Sequence, residues 1–212
     1  MRFAHLGDTH IRNLKYHYEY RVVFNNLYKK LKDLNVDYII HCGDIAHTKT
    51  QISPEFVDLC SDFLKNLADI APTYVILGNH YLLKNSGEVS LDSNYILNVL
   101  SVFDTDNWCE PTDTSAINIA LYHGSISGVK TDIGWVMEHG ENDISIFNNF
   151  DYGFLGDIHK TNQVLNKQGT IRYCGSTVQQ NFGETNDKGF LLWDIEDKKN
   201  FTCEHHTLEN PK

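Results

Sequence analysis

Met1-Arg2-Phe3-Ala4-His5-Leu6-Gly7-Asp8-Thr9-His10 opens the chain, and its reading decides the fold. Residues 2–7 form a first strand, with Phe3 to Leu6 as its buried centre. Gly7 lets the backbone turn out of that strand. Asp8 and His10 follow, one residue apart. A carboxylate and an imidazole at a strand end can both reach one metal ion. Alone the pair says little, because Asp-x-His is common in ordinary loops. It gains meaning because four more stretches repeat the pattern of a strand running into polar, ligand-type residues.

Working outward, Tyr18 to Leu34 has helical periodicity, with Val22, Val23, Leu27, Leu31 and Leu34 on one face. Asp37 to Cys42 is a second strand that runs into Gly43-Asp44. Ser53-Pro54-Glu55 starts a helix that reaches about Ala68, with Ser53 as N-cap and Pro54 in the first position. Thr73 to Leu77 is a third strand and ends in Gly78-Asn79-His80. This βαβαβ succession implies a parallel sheet with its site at the carboxyl ends of the strands. Farther on, Asn85-Ser86-Gly87 reads as a turn, 93–100 as a helix and Asp104 to Ser115 as a polar loop. Ile117 to Tyr122 is a strand ending in His123-Gly124, and 132–138 is a short helix. Asp151 to Leu155 is a strand ending in Gly156-Asp157-Ile158-His159. Residues 163–165, 171–174, 189–195 and 201–206 read as successive antiparallel strands.

The 212 residues suit one domain with a real core, and 41% hydrophobic content is that of a globular chain. No apolar run approaches the ~20 residues of a membrane span. The N-terminus lacks a signal pattern, so a cytoplasmic location is expected. Five cysteines without a Cys-x-x-Cys argue against a disulfide framework or a structural zinc site. A net charge of −10 is unusual for a nucleic-acid binder, but global charge bounds solubility more than it describes a local site.

Collected at the strand exits are Asp8, His10, Asp44, Asn79, His80, His123, Asp157 and His159. Mixed carboxylate, imidazole and amide donors suit Mn²⁺, Fe²⁺ or Zn²⁺. The set is too large for one tetrahedral site and right for two adjacent ions with a spare group. Two ions roughly 3.5–4 Å apart form the usual clamp for displacement at phosphorus. Asp44 is the expected bridge, because a cation pair needs one anionic donor between its members.

The ordered series Gly-Asp-Thr-His, Gly-Asp-Ile, Gly-Asn-His, His-Gly and Gly-x-x-His, from residue 7 to 159, resembles that of the calcineurin-like metallophosphoesterases. Tyr173-Cys174-Gly175-Ser176, Phe182-Gly183-Glu184 and Lys188-Gly189-Phe190 look like the signature of one branch, the SbcD-type (meiotic-recombination-eleven family) DNA repair nucleases. The resemblance implies an α/β fold of two packed mixed β-sheets flanked by helices, filling residues 1–212 as one nuclease domain. It implies that Asp8, His10, Asp44 and His159 hold one ion and that Asp44, Asn79, His123 and Asp157 hold the other. His80 is then the catalytic group, stabilising the phosphorane or protonating the leaving 3′ oxygen. It also implies 3′-to-5′ exonuclease and endonuclease activity with Mn²⁺, a homodimer, and a partner ATPase of the SMC-like (SbcC-type) repair class. The family's capping and ATPase-binding regions do not fit after Glu196.

Two positions depart from the family pattern. Asp157 stands where Gly-His-x-His would place an imidazole, which lowers the net charge of the site and favours Mn²⁺ or Mg²⁺. Tyr81 stands where an Asp would steady His80, which predicts a poorer acid and lower turnover. Arg12, Lys15, Lys49, Lys84, Lys130 and Lys160 follow the ligand motifs and are the candidate contacts to DNA phosphates. Two rival readings are a phosphatase or small-nucleotide phosphodiesterase of the same superfamily, and a weakly active scaffold that binds a repair ATPase.

Overall fold

Strand β1 (Arg2–Leu6) pairs in parallel with β2 (Tyr38–Cys42) and antiparallel with β10 (Gly189–Ile195), so the opening stretch lies in the middle of a sheet. With β3 (Thr73–Ile76) and β11 (Phe201–Thr207) outside them, the order is β11-β10-β1-β2-β3. A second, six-stranded sheet runs β4-β5-β6-β7-β9-β8. Its strands are β4 (Gly87–Ser90), β5 (Tyr95–Leu100), β6 (Ile117–His123), β7 (Tyr152–Gly156), β8 (Gln163–Val164) and β9 (Ile171–Tyr173). The computed structural model describes residues 1–79 and 86–211.

Both sheets are mixed, and they pack face to face. The period of two along each strand sorts side chains between cores. Phe3, Ile40, Cys42, Leu191 and Trp193 point to the second sheet, where Leu97, Leu121, Tyr152 and Phe154 meet them. Ala4, Leu6 and Ile39 point the other way, to the helices α1 (His17–Asp33) and α2 (Pro54–Ile70). Helix α1 contributes Tyr20, Val23, Phe24, Leu27 and Leu31, spaced along one stripe, and α2 contributes Phe56, Leu59, Phe63 and Leu67. The Phe24 and Phe63 rings lie 4.3 Å apart. Ser53 caps α2 by accepting from the Phe56 N–H, with Pro54 behind it in the first turn. On the outer face of the second sheet, Ala120, Tyr122, Leu155 and Tyr173 are covered by Ile126, Val129 and Phe147, the last from a 3₁₀ turn at Ile144–Phe147. Two packed mixed sheets flanked by helices are therefore the architecture.

Four readings of local structure need correction. Residues 93–100 are not a helix. Tyr95–Leu100 is strand β5, parallel to β6 and almost wholly buried. A short apolar run buried on both faces carries no periodicity that separates strand from helix. Residues 132–138 are not a helix either, but the end of a tight hairpin closed by an antiparallel bridge between Lys130 and Val136. The last four strands are not one antiparallel run. β8 and β9 pair within the second sheet, where β9 is also parallel to β7, while β10 and β11 complete the first sheet. Gly87, read as part of a turn, begins β4, and Asn85 lies outside the described residues. No helix among the described residues is long and apolar enough to cross a membrane.

Candidate metal centre

The carboxyl ends of β1, β2, β3, β6 and β7 meet at one edge of the sandwich, and each delivers ligand-type side chains there. The loop after β1 is sewn to the loop after β2 by backbone bonds. Asp8 N–H donates to Gly43 O (3.1 Å), His10 N–H to Asp44 O (2.9 Å) and Ile11 N–H to Ile45 O (2.7 Å). Asp8, His10 and Asp44 all take φ near +50°, and Asp157 takes +96°. Non-glycine residues held in this region are strained and persist where the surroundings over-determine them. Gly78 lies so close to the Asp44 carboxylate that a Cβ there would collide with it.

The predicted residues converge. His10 Nε2 lies 3.7 Å from Asp8 Oδ1, 3.8 Å from Asp44 Oδ2 and 3.1 Å from His159 Nε2. His123 Nε2 lies 3.4 Å from the same Asp44 Oδ2 and 3.8 Å from Asp157 Oδ1. Asn79 donates from Nδ2 to Asp157 Oδ1 at 2.7 Å. The Asp157 N–H donates to both oxygens of Asp8, at 3.2 and 3.0 Å. Two sets of ligand atoms lie close enough to grip an ion: Asp8 with His10 and His159, and Asp8 with Asp44 and His123. His10, Asp44, Asn79, Asp157 and His159 also line one cavity of about 270 Å³, together with His47 and Gln180. His80, Tyr81 and Lys84 lie outside the described residues.

Hydrogen bonds behind the imidazoles fix which nitrogen faces the cavity. His123 Nδ1 meets the Cys42 carbonyl at 2.6 Å, and a carbonyl only accepts, so Nδ1 carries the proton and Nε2 is turned toward the carboxylates. His159 Nδ1 meets Glu184 Oε1 at 2.9 Å. Burial alone would raise the Glu184 pKa, but the bond from His159 and the nearby Lys188 outweigh it and hold the carboxyl down at about 2. Glu184 is thus an anionic acceptor, and His159 also presents Nε2. A ligating histidine is normally held this way by a carboxylate or carbonyl behind it.

The electrostatics favour a cation. Burial pushes the Asp8 carboxyl up to about 6, against the pull of His123 and His159, and Asp157 and Asp44 add to the rise. Burial opposes a charged His123, yet Asp44, Asp8 and Asp157 overcome it and lift the imidazole to about 9. Three largely buried carboxylates thus share one small volume, and the groups among them hold their protons more tightly for it. Cation binding would invert this balance. The buried Nε2 atom of His123 has no hydrogen-bond partner among the described residues. The donor set and the fixed tautomers fit divalent ions.

Sequence reasoning did not give roles to several residues that serve this site. Glu184 and Lys188 stood only within a signature. Lys188 is completely buried, and its Nζ pairs with Asp132 Oδ2 (2.6 Å) and Glu184 Oε2 (3.3 Å) while donating to His159 O (2.8 Å). His47, which no motif marks, lines the ligand cavity with its ring 5.8 Å from that of His10. Of the basic residues assigned to DNA, Arg12 donates to Gln180 O at 3.1 Å, and Lys15, Lys49 and Lys130 are exposed on loops after β1, β2 and β6. Lys160, half-buried, follows His159.

The calcineurin-like phosphoesterase family profile matches residues 1–208, and the chain belongs to that family. It is 35% identical over 92% of its length to "Uncharacterized protein R555" of Acanthamoeba polyphaga mimivirus, covering 17% of that protein. It is 23% identical over 90% of its length to the "DNA double-strand break repair protein Mre11" of Haloferax volcanii, covering 48% of it. The chain therefore spans half or less of these two relatives. Among solved structures, purple acid phosphatase PPD1 of yellow lupin (Lupinus luteus) superposes with a TM-score of 0.60 at 12% identity, over 98% of this chain and 51% of that one.

Proposed function

We propose that this chain is a dinuclear-metal phosphodiesterase that acts on DNA as a nuclease. One observation carries the hydrolytic reading: side chains from five strand ends bring three imidazole Nε2 atoms and three carboxylates together, and His10, Asp44, Asn79, Asp157 and His159 among them line one cavity. Asp8, His10, Asp44 and His159 would hold one divalent ion, and Asp44, Asn79, His123 and Asp157 the other. Asp44 Oδ2 faces both His10 and His123, which suits it to bridge, and Asp8 belongs to both candidate ligand sets. When bound, a cation pair draws charge from the phosphoryl oxygens and lowers the pKa of water to near neutrality.

The protein's own part is positioning. Cys42 O and Glu184 hold His123 and His159 in the required tautomer and orientation. The β1–β2 loop bonds fix Asp8, His10 and Asp44 before any ligand arrives. His80, by its place after Asn79, would protonate the leaving oxygen or stabilise charge on phosphorus. Arg12, Lys15, Lys49, Lys84, Lys130 and Lys160 would neutralise backbone phosphates. Support for DNA over other phosphoesters comes from the haloarchaeal repair relative and from the Glu184 and Lys188 motifs. The motif resemblance to the SbcD-type nucleases is the basis for proposing an SMC-like ATPase partner and a homodimer. Mn²⁺ is the preferred ion, with Mg²⁺ an alternative, because Asp157 adds a hard oxygen donor. Incubation with single- and double-stranded DNA and a small phosphodiester, with Mn²⁺ or with EDTA, tests the reading. DNA cleavage that needs Mn²⁺ is expected. Cleavage of the small ester alone would favour a small-substrate phosphodiesterase, and no cleavage would favour the scaffold.

A further inference from the structure

A second cavity, of about 490 Å³, shares Asp157 and His159 with the ligand cavity. Its apolar wall is Ile133, Trp135 and Met137 from the 128–138 hairpin, and Gly183 and Glu184 stand across from them. Trp135 is 58% exposed and Ile133 78%, so neither is a core residue. The hairpin is built to hold them there. Gly134 N–H donates to Thr131 O (2.9 Å), Thr131 N–H to Trp135 O (2.9 Å) and Met137 N–H to Val129 O (2.8 Å). Gly134 takes a φ of +82°, as the bulge after a tight turn requires. Asp132, beside the tip, pairs with the buried Lys188, which also binds the His159 carbonyl. One ammonium group therefore fixes the indole relative to His159.

We propose that Trp135 is the stacking platform for the nucleobase next to the phosphate that the candidate metal centre holds. This rests on the phosphodiesterase reading and names the part of the substrate that the adjoining cavity takes. A phosphoryl group at Asp157 and His159 must send an ester substituent outward, and the cavity sharing those residues offers it an indole and an aliphatic wall. A flat base gains from such a face whatever its identity. The platform accounts for an exposed tryptophan on a hydrogen-bonded turn.

Two measurements on the intact protein test this. Trp193 is fully buried and Trp108 half-buried, so ligand-dependent quenching reports mainly on Trp135. Titration with short single-stranded oligothymidylate in Mg²⁺ should quench the wild type and leave Trp135→Leu unchanged. In hydrolysis, Trp135→Ala should raise KM for the p-nitrophenyl ester of thymidine 5′-phosphate at least about fivefold, the lower end of a base–aromatic stack. It should leave kcat and the methyl p-nitrophenyl ester unaffected, and Trp135→Phe should restore most of the loss. Absence of quenching, or equal losses on both esters, overturns the platform even if the enzyme is active. Quenching by a phosphotyrosine peptide but not by oligothymidylate also overturns it. Base-dependent quenching without hydrolysis of either ester would leave the platform standing and remove the hydrolytic reading.

Discussion

At the scale of single residues, the site depends on groups behind the ligands. Glu184 holds His159 by Nδ1, and the loss of such a partner typically costs ~10–100-fold in metal affinity or activity. Glu184→Gln should weaken Mn²⁺ binding by about that factor, read by calorimetry, with the far-UV spectrum unchanged. An unaltered affinity would show that His159 needs no anionic support. Gly78→Ala should push the Asp44 carboxylate aside and lower kcat on the order of 10²-fold, as a displacement of about 1 Å can do. Most candidate ligands were legible because each stands beside a glycine at the end of an apolar strand. The strained backbone of Asp8, His10, Asp44 and Asp157 was not, since φ depends on loop–loop hydrogen bonds that only the fold creates. Nor was the buried Lys188, whose charge is met by Asp132, 56 residues away in sequence.

At the scale of elements, α1 and α2 were readable to within two residues at each end. Their apolar stripes and the Ser53-Pro54 start are local signals. Phe63, fully buried against Phe24 in this layer, should matter to stability alone. Phe63→Ala is expected to cost ~3–5 kcal/mol in chemical denaturation. Activity per folded molecule should be kept. Strand β5 was misread because its identity comes from its neighbours. Asn98 sits mid-strand, buried, and donates to Asn118 on β6, a contact that its own segment does not announce. The hairpin at 128–138 was missed for a related reason. Gly134, at its tip, lies among residues that also suit a helix.

At the scale of the whole molecule, two buried histidines make the fold sensitive to acid. His5 stacks on Phe154 between the sheets, and His41 shares a hydrogen bond with Thr9 on the helix side. Burial holds both imidazoles down at about 3, against an ordinary value near 6.5. Between those values the unfolded chain binds the proton and the folded chain does not. Stability is therefore full above pH 6.5 and falls as the pH drops from 6.5 toward 3. From pH 7 to pH 5 each group should remove ~2 kcal/mol, and His5→Leu should flatten the slope of unfolding free energy against pH. A slope equal to wild type would mean that His5 does not titrate in this range.

The parallel β1-β2-β3 part of the first sheet was legible in the βαβαβ succession, whereas the pair of mixed sheets was implied only by the family resemblance. The return of β10 beside β1 was not legible, because an antiparallel pairing across nearly the whole chain leaves no local trace. That pairing puts the opening strand at the centre of its sheet, while Asp8 meets Asp157 through the backbone N–H that follows β7 in the facing sheet. The central claim is that the gathered side chains hold two cations. Diffraction from crystals soaked in manganese, recorded at the manganese absorption edge, tests it most directly. Two anomalous peaks are predicted, one against Asp8, His10 and His159 and one against Asp44, His123 and Asp157. No peak in that cavity, or a single ion that leaves His123 unligated at saturating manganese, would contradict the account.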